Sequence, residues 1–210
     1  MTEEEIYYID FSVFPFMDGE EEDNDPYNEA IYQGSSVEDS IYSENDYLAG
    51  EIIKQESGMV CLASKYMLIA DIDCGDKIDW HLSILKQWVV ENGGSFRIYK
   101  TKNGMRYLQT DVMYQGVNNS AIETLTALGS DPNYINLSRK GGRFMARLSP
   151  KLSSEDIGEY FESVVCEDPK IAVCHFIDTI GDGSISEILF NAVNYHDEQT
   201  SSEYKNLELY

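Results

Sequence analysis

Asp71 and Asp73 stand one residue apart at the end of the apolar run Tyr66-Met67-Leu68-Ile69-Ala70-Asp71-Ile72-Asp73. In a strand, residues i and i+2 face the same side, so both carboxylates would converge on one point at the strand end. Hard divalent cations prefer oxygen ligands, and two carboxylates can hold Mg²⁺ or Mn²⁺ while substrate phosphates complete the shell. The same tripeptide also arises as polar termination of a buried strand, with Gly75 opening a turn. Both readings stand on these residues alone.

A basic block follows the pair. Between Ser95 and Lys151 lie Arg97, Lys100, Lys102, Arg106, Arg139, Lys140, Arg143, Arg147 and Lys151, against only Asp111, Glu123 and Asp131. Strand alternation would gather Lys100, Lys102 and Arg106 around a hairpin tip, and would set Arg143, Met145 and Arg147 on one face with Phe144 and Ala146 on the other. Two arginines side by side on a strand can grip phosphates bidentately. The competing reading is that these cations neutralise the acidic N-terminal region of the same chain.

The elements that would position these groups follow from periodicity and turn chemistry. Met59 to Ala63 and Tyr66 to Ile72 read as successive strands joined by Ser64-Lys65. Ile78 to Asn92 reads as an amphipathic helix, with Trp80, Ile84, Leu85 and Trp88 at helical spacing and Gly93-Gly94 as its stop. Phe96 to Thr101 and Met105 to Asp111 are strands joined by Lys102-Asn103-Gly104, an Asn-Gly hairpin signal. A helix from about Asn118 to Leu128, a short one after Asp131-Pro132 and a strand from Arg143 to Leu148 come next. Ser153 to Val164 reads as helix, Ile171 to Asp178 as strand and Ser184 to Tyr195 as helix. Strands and helices interleave, which places the chain in the α+β or α/β class.

Charge is partitioned along the 210 residues. The chain carries 38 acidic and 15 basic residues, a formal charge of -23 that argues against simple electrostatic binding to DNA or an anionic membrane. Residues 1 to 57 hold 17 of the acids and only Lys54 as a base, residues 58 to 164 balance 12 against 12, and residues 165 to 210 hold 9 acids and 2 bases. Three segments are therefore expected: an acidic, tyrosine-rich N-terminal segment (1–57), an α+β core (58–164) and an acidic strand-helix segment packed on it (165–210). In the first, Ile6 to Phe16 reads as a strand or extended arm, Glu20 to Pro26 as a loop and Ser40 to Gln55 as a helix. Met1-Thr2-Glu3-Glu4-Glu5 is acidic where a signal peptide would be basic, so a soluble, cytoplasmic protein without membrane contact is expected. Cys61, Cys74, Cys166 and Cys174 form no CxxC pair and read as buried free thiols.

The order of these elements resembles the archaeo-eukaryotic primase-polymerase superfamily, over about residues 59 to 180. That family opens with a strand ending in Asp-x-Asp, as in Ile69-Ala70-Asp71-Ile72-Asp73, and continues through a strand-turn-strand. Its counterpart here is Tyr99-Lys100-Thr101-Lys102-Asn103-Gly104-Met105-Arg106-Tyr107, with Arg106 where the family has a histidine. Asp131 or Asp178 would supply its third carboxylate. Arg143-Phe144-Met145-Ala146-Arg147-Leu148-Ser149-Pro150 is similar to an arginine-rich strand found in some members. Uncharacterised bacterial and viral primase-like proteins are similar through Arg97 to Arg106, Asp131-Pro132-Asn133-Tyr134 and Arg143 to Lys151.

The resemblance implies a palm-like sheet, mixed or antiparallel, with flanking helices. It also implies catalytic carboxylates at Asp71, Asp73, Asp131 and Asp178, with Mg²⁺ or Mn²⁺ on Asp71 and Asp73. Lys100, Lys102, Arg106, Arg143 and Arg147 would bind phosphate. An arginine cannot titrate near neutrality as a histidine does, so the expectation is a nucleotide- or nucleic-acid-binding protein of viral or mobile-element type, weak or inactive as a nucleotidyltransferase. The alternative is an acidic interaction protein whose N-terminal segment mimics nucleic acid and blocks a partner's DNA-binding surface.

Two further signals are weaker. Asp178 to Leu189 resembles a calcium loop, but Ile180 and Leu189 occupy positions that need oxygen ligands. His81 is expected on a helix surface, His175 within a strand, and His196 at a helix end where an imidazolium would suit the dipole.

Overall fold

The computed structural model describes residues 36–55, 58–150, 154–165 and 169–210. The arm read over Ile6 to Phe16, the Glu20 to Pro26 loop, Lys151 and Cys166 lie outside these residues.

Among the described residues, two antiparallel four-stranded sheets carry the fold. One has the order β1 (Ser36–Tyr42), β2 (Leu48–Lys54), β3 (Val60–Ser64), β7 (Phe144–Arg147). The other has the order β4 (Ile69–Ile72), β6 (Met105–Gln109), β5 (Phe96–Thr101), β9 (Cys174–Ile180). A two-residue parallel pairing joins β8 (Ile171–Ala172) to β10 (Glu208–Leu209). The helices among the described residues are α1 (Ile78–Asn92), α2 (Asn119–Ala127), α3 (Pro132–Gly141), α4 (Ser154–Val165) and α5 (Glu187–Gln199). The class is α+β with antiparallel sheets.

β3 and β4 read as neighbours in sequence, yet they belong to different sheets. The switch is made at Ser64, whose hydroxyl donates to the Ala49 carbonyl at 2.7 Å and accepts the N–H groups of Tyr66 and Met67 at 3.1 Å. A side chain that satisfies two backbone donors turns the strand without leaving them unpaired in the interior. Both sheets then share one buried cluster, in which Ile52, Leu62, Phe144 and Ala146 of the first meet Ile69, Ile98 and Tyr107 of the second. Leu85 of α1 and Leu125 of α2 complete it.

Ser40 to Gln55 is not a helix but most of the β1–β2 hairpin. Ser43, Asn45 and Asp46 supply its turn, with the Ser43 N–H bonded to the Tyr47 carbonyl and Asp46 in the left-handed region at φ 62°. Pairing of β2 with β3 decides the matter, since tertiary ladder bonds override weak helix propensity. The same pairing joins this half of the acidic segment to the core sheet across residue 57.

In α1 the buried stripe is Ile78, His81, Leu82, Leu85 and Val89, a 3- and 4-residue spacing. Trp80 therefore points outward, 59% exposed, and His81 is buried instead of lying on the surface. Cys61, Cys74 and Cys174 are buried free thiols. Among the described residues no helix is long and apolar enough to cross a membrane.

The β5–β6 hairpin forms where the Asn-Gly signal put it, for a second reason as well. Gly104 has no positive φ; it is needed for space. A Cβ on Gly104 would lie 1.9 Å from the Ile72 carbonyl oxygen and 3.0 Å from the Cys74 nitrogen. The turn thus lies flat on the chain leaving β4, held by the Gly75 N–H bond to the Asn103 carbonyl at 3.1 Å. Gly104→Ala is expected to cost about 1–3 kcal/mol in urea unfolding, as overpacking against backbone does; an unchanged midpoint would refute the contact.

Candidate functional site

The site is built at the C-terminal end of β4. Asp71 sits in antiparallel register with Arg106 of β6, and Arg106 in turn with Tyr99 of β5, so the three share one face of the sheet. Asp71 is half-buried and Arg106 only 4% exposed. Asp73 falls one residue beyond the strand and is exposed.

A buried guanidinium must find acceptors, because an unpaired charge in the interior costs several kcal/mol. Arg106 Nη1 donates to the Arg147 carbonyl at 3.0 Å and lies 3.1 Å from His196 Nε2. Its Nε–H is buried with no acceptor among the described residues. Arg147, half-buried on β7, brings a second guanidinium to the same place. Its charge acts on Asp71, and burial with the neighbouring Arg106 charge lowers its pKa from the ordinary value.

The start of α3 is tied to β4. Ser130 Oγ and the Asp131 N–H both donate to the Asp71 carbonyl, at 3.0 and 2.8 Å. The Asp131 carboxylate caps α3, accepting the N–H groups of Asn133 and Tyr134 at 2.9 Å each, and Pro132 opens the helix. The Tyr134 hydroxyl accepts the Met145 N–H at 3.1 Å and so fixes the helix to β7.

These placements shape the electrostatics. Burial raises the Asp71 pKa above the ordinary carboxylate value; Arg106 and Arg147 oppose the rise, and Asp73 and Asp131 add to it. Beside Arg106 a second polar group closes on itself. Asp197 accepts hydrogen bonds from the Tyr99 hydroxyl at 2.6 Å and from Arg97, and stands 3.1 Å from His196 Nδ1. Burial would raise the Asp197 pKa, but these partners outweigh it and hold the carboxyl low. His196 ends α5 as expected, yet it is fully buried, and burial lowers its pKa; the imidazole is kept neutral there and makes no use of the helix dipole.

The fold therefore brings Asp71, Asp73, Asp131, Arg106 and Arg147 into one electrostatic neighbourhood. It does not bring the others there. Lys100 registers with Met105 and lies on the opposite sheet face from Arg106. Lys102 stands 5.1 Å over the Tyr210 ring. Arg143 forms an ion pair with Glu51 of β2, one cation of the basic block matched by an acid from before residue 58. Asp178 is exposed on the edge strand β9 and accepts its neighbour's N–H. In the loop that resembles a calcium site, the Asp182 carboxylate is taken by the N–H and hydroxyl of Ser184.

Sequence reasoning missed His196 and Asp197. Leu189, Ala192, Val193 and His196 are the buried positions of α5. That 3- and 4-residue spacing is legible in the sequence and puts the histidine on the apolar face. Among the described residues no three His, Cys, Asp or Glu side chains gather closely enough to hold a metal ion alone. A divalent cation on Asp71 and Asp73 would need further oxygen ligands that arrive with it, as phosphates supply to Mg²⁺. Comparison with family models, curated proteins and solved structures finds no match to this chain.

Two outcomes follow for these carboxylates. A raised folded pKa means that Asp71 supports stability fully below its ordinary value and withdraws that support as pH rises through the folded value. Asp71→Asn should therefore raise the melting temperature at pH 7 and leave it unchanged near pH 3; a lower melting temperature at pH 7 would contradict the assignment. Asp131→Ala should cost about 0.5–2 kcal/mol in chemical denaturation, whereas Asp131→Asn, an equally good cap, should stay near wild type.

Proposed function

We propose that the β4 end binds the phosphates of a nucleotide or nucleic-acid strand, on a scaffold resembling the palm of the primase-polymerase superfamily. The observation that carries this reading is that two arginine charges act on one half-buried carboxylate, while one buried Arg106 guanidinium N–H has no acceptor among the described residues. A phosphate oxygen is the acceptor such a group selects, and guanidinium–phosphate bonds are charge-assisted. Topology supports the palm-like reading: β4 and β5 both run antiparallel to β6, hence parallel to each other, and α1 links them as a split β-α-β unit with a hairpin.

Asp71 and Asp73 would hold Mg²⁺ or Mn²⁺ in this reading, and the ion would neutralise phosphate charge when bound. Arg147 would orient the phosphate from β7, and Arg106 from the floor of the site. Binding rather than nucleotidyl transfer is the activity favoured, because Arg106 stands where the family pattern has a titratable histidine and its Nη1 is already committed inside the fold.

Titration calorimetry with ATP and Mg²⁺ or Mn²⁺ tests this directly. Wild type should bind in a metal-dependent manner, and Asp71→Asn and Arg147→Gln should each weaken binding at least about tenfold, the worth of one charged hydrogen bond. Equal affinities across the three proteins would sink the site.

The Arg143–Glu51 pair favours a second element, screening of the basic block by the acidic segment. Deleting residues 1–35 leaves β1 and β2 intact and should tighten single-stranded DNA binding in a gel shift, more so at low than at high salt. Unchanged binding at both salt concentrations would count against screening.

A further inference from the structure

The geometry points to His196 and Asp197 as positioning residues for this phosphate site: they hold Arg106 in place through a single tautomer of the imidazole, and protonation of that ring releases the guanidinium. The inference rests on the phosphate-binding reading above and adds its regulation by pH.

A guanidinium nitrogen can only donate. Arg106 Nη1, 3.1 Å from His196 Nε2, therefore requires Nε2 to be the bare, accepting nitrogen. In the neutral ring the hydrogen must then sit on Nδ1, which faces Asp197 Oδ1 at 3.1 Å. Asp197 is fixed in its turn by the Tyr99 hydroxyl and by Arg97, and Arg97 Nε donates to the same hydroxyl at 2.9 Å. The Tyr99 ring packs edge-on against the imidazole at 4.7 Å between centroids. The chain of contacts is thus directional: Asp197 sets the His196 tautomer, His196 presents a lone pair to Arg106, and Arg106 grips the Arg147 backbone opposite Asp71.

Protonating Nε2 replaces an acceptor by a donor, directly against a fixed cation. The charged groups facing His196 are Arg106 from β6, Arg97 from β5, and Asp197 from its own helix; Tyr99 is the titratable neighbour on β5. Two cations stand against one carboxylate already committed to Arg97 and Tyr99. Burial and Arg106 both depress the imidazole pKa, so the neutral lock is complete above the ordinary histidine value and is lost as pH falls through the lowered one. Asp71 works in the opposite sense, because its own protonation at low pH removes a negative charge beside the anion.

The test uses full-length protein and sulfate, a tetrahedral anion that keeps its charge throughout the range. Nitrogen-15 NMR of the histidine ring should show the Nδ1–H tautomer at neutral pH, and the Arg106 side-chain signals should move with the same midpoint as His196. Sulfate affinity should fall about tenfold as His196 titrates. His196→Gln can offer its amide oxygen to Arg106 and its amide N–H to Asp197. It should bind sulfate within about threefold of wild type at neutral pH and lose the acid-side fall.

The Nε2–H tautomer, or Arg106 signals indifferent to His196, would overturn the positioning role, and these are read without any anion. A His196→Gln protein with the wild-type pH profile would overturn it as well. Absence of sulfate and ATP binding at every pH, with tautomer and coupled titration as expected, would instead remove the phosphate-site reading and with it the regulatory claim.

Discussion

One buried guanidinium sets the terms for the rest of the structure. Arg106 lies on β6, the strand that both β4 and β5 pair with, where an uncharged side chain would be simpler to bury. Its charge has to be met by dipoles and lone pairs, since no carboxylate of the described residues forms an ion pair with it. The partners come from two separate elements, the backbone of β7 in the other sheet and the imidazole that ends α5. Meeting one charge therefore fastens the two sheets and the last helix together.

The candidate site inherits its character from that arrangement. Asp71 is held by register opposite Arg106 and by Ser130 and Asp131 at its carbonyl, which fixes the backbone that carries its carboxyl. It stays half-buried beside two cations and two acids, and burial is the largest influence on its proton. A group held against its own preference in this way is a common mark of a working site, because a residue selected for stability alone would be placed where its charge is solvated. Asp131 illustrates the contrast: its carboxylate is near the same place but already employed as a helix cap.

Much of the local structure was legible. The apolar runs before Asp71, the Asn103-Gly104 hairpin, the helix closed by Gly93 and the alternation of Phe144 and Ala146 against Met145 and Arg147 all follow from short-range pattern. Where reading failed, a competing interaction explains it. Ser40 to Gln55 has enough helix-compatible residues to suggest a helix, but β3 offered it a ladder. Helical spacing groups Trp80 with Ile84, Leu85 and Trp88, although the register of Ile78, Leu82 and Leu85 turns it outward and His81 inward. Strand alternation about the hairpin tip groups Arg106 with Lys100 and Lys102, but the register pairs Arg106 with Tyr99 and Lys100 with Met105, which puts Lys100 on the other face of the sheet.

From its sequence alone the chain can be assigned most of its element types beyond residue 58, its mixture of strands and helices, its division of charge and the Asp71-x-Asp73 strand end, because each of these depends on residues within a few positions of one another. Tertiary structure decided the rest: which sheet β3 and β4 enter, that Glu51 takes Arg143, and that His196 meets Arg106 across 90 residues of chain. Those pairings arise from burial and register acting at once, and a periodicity of two or 3.6 residues carries no information about which distant face will cover a given side chain.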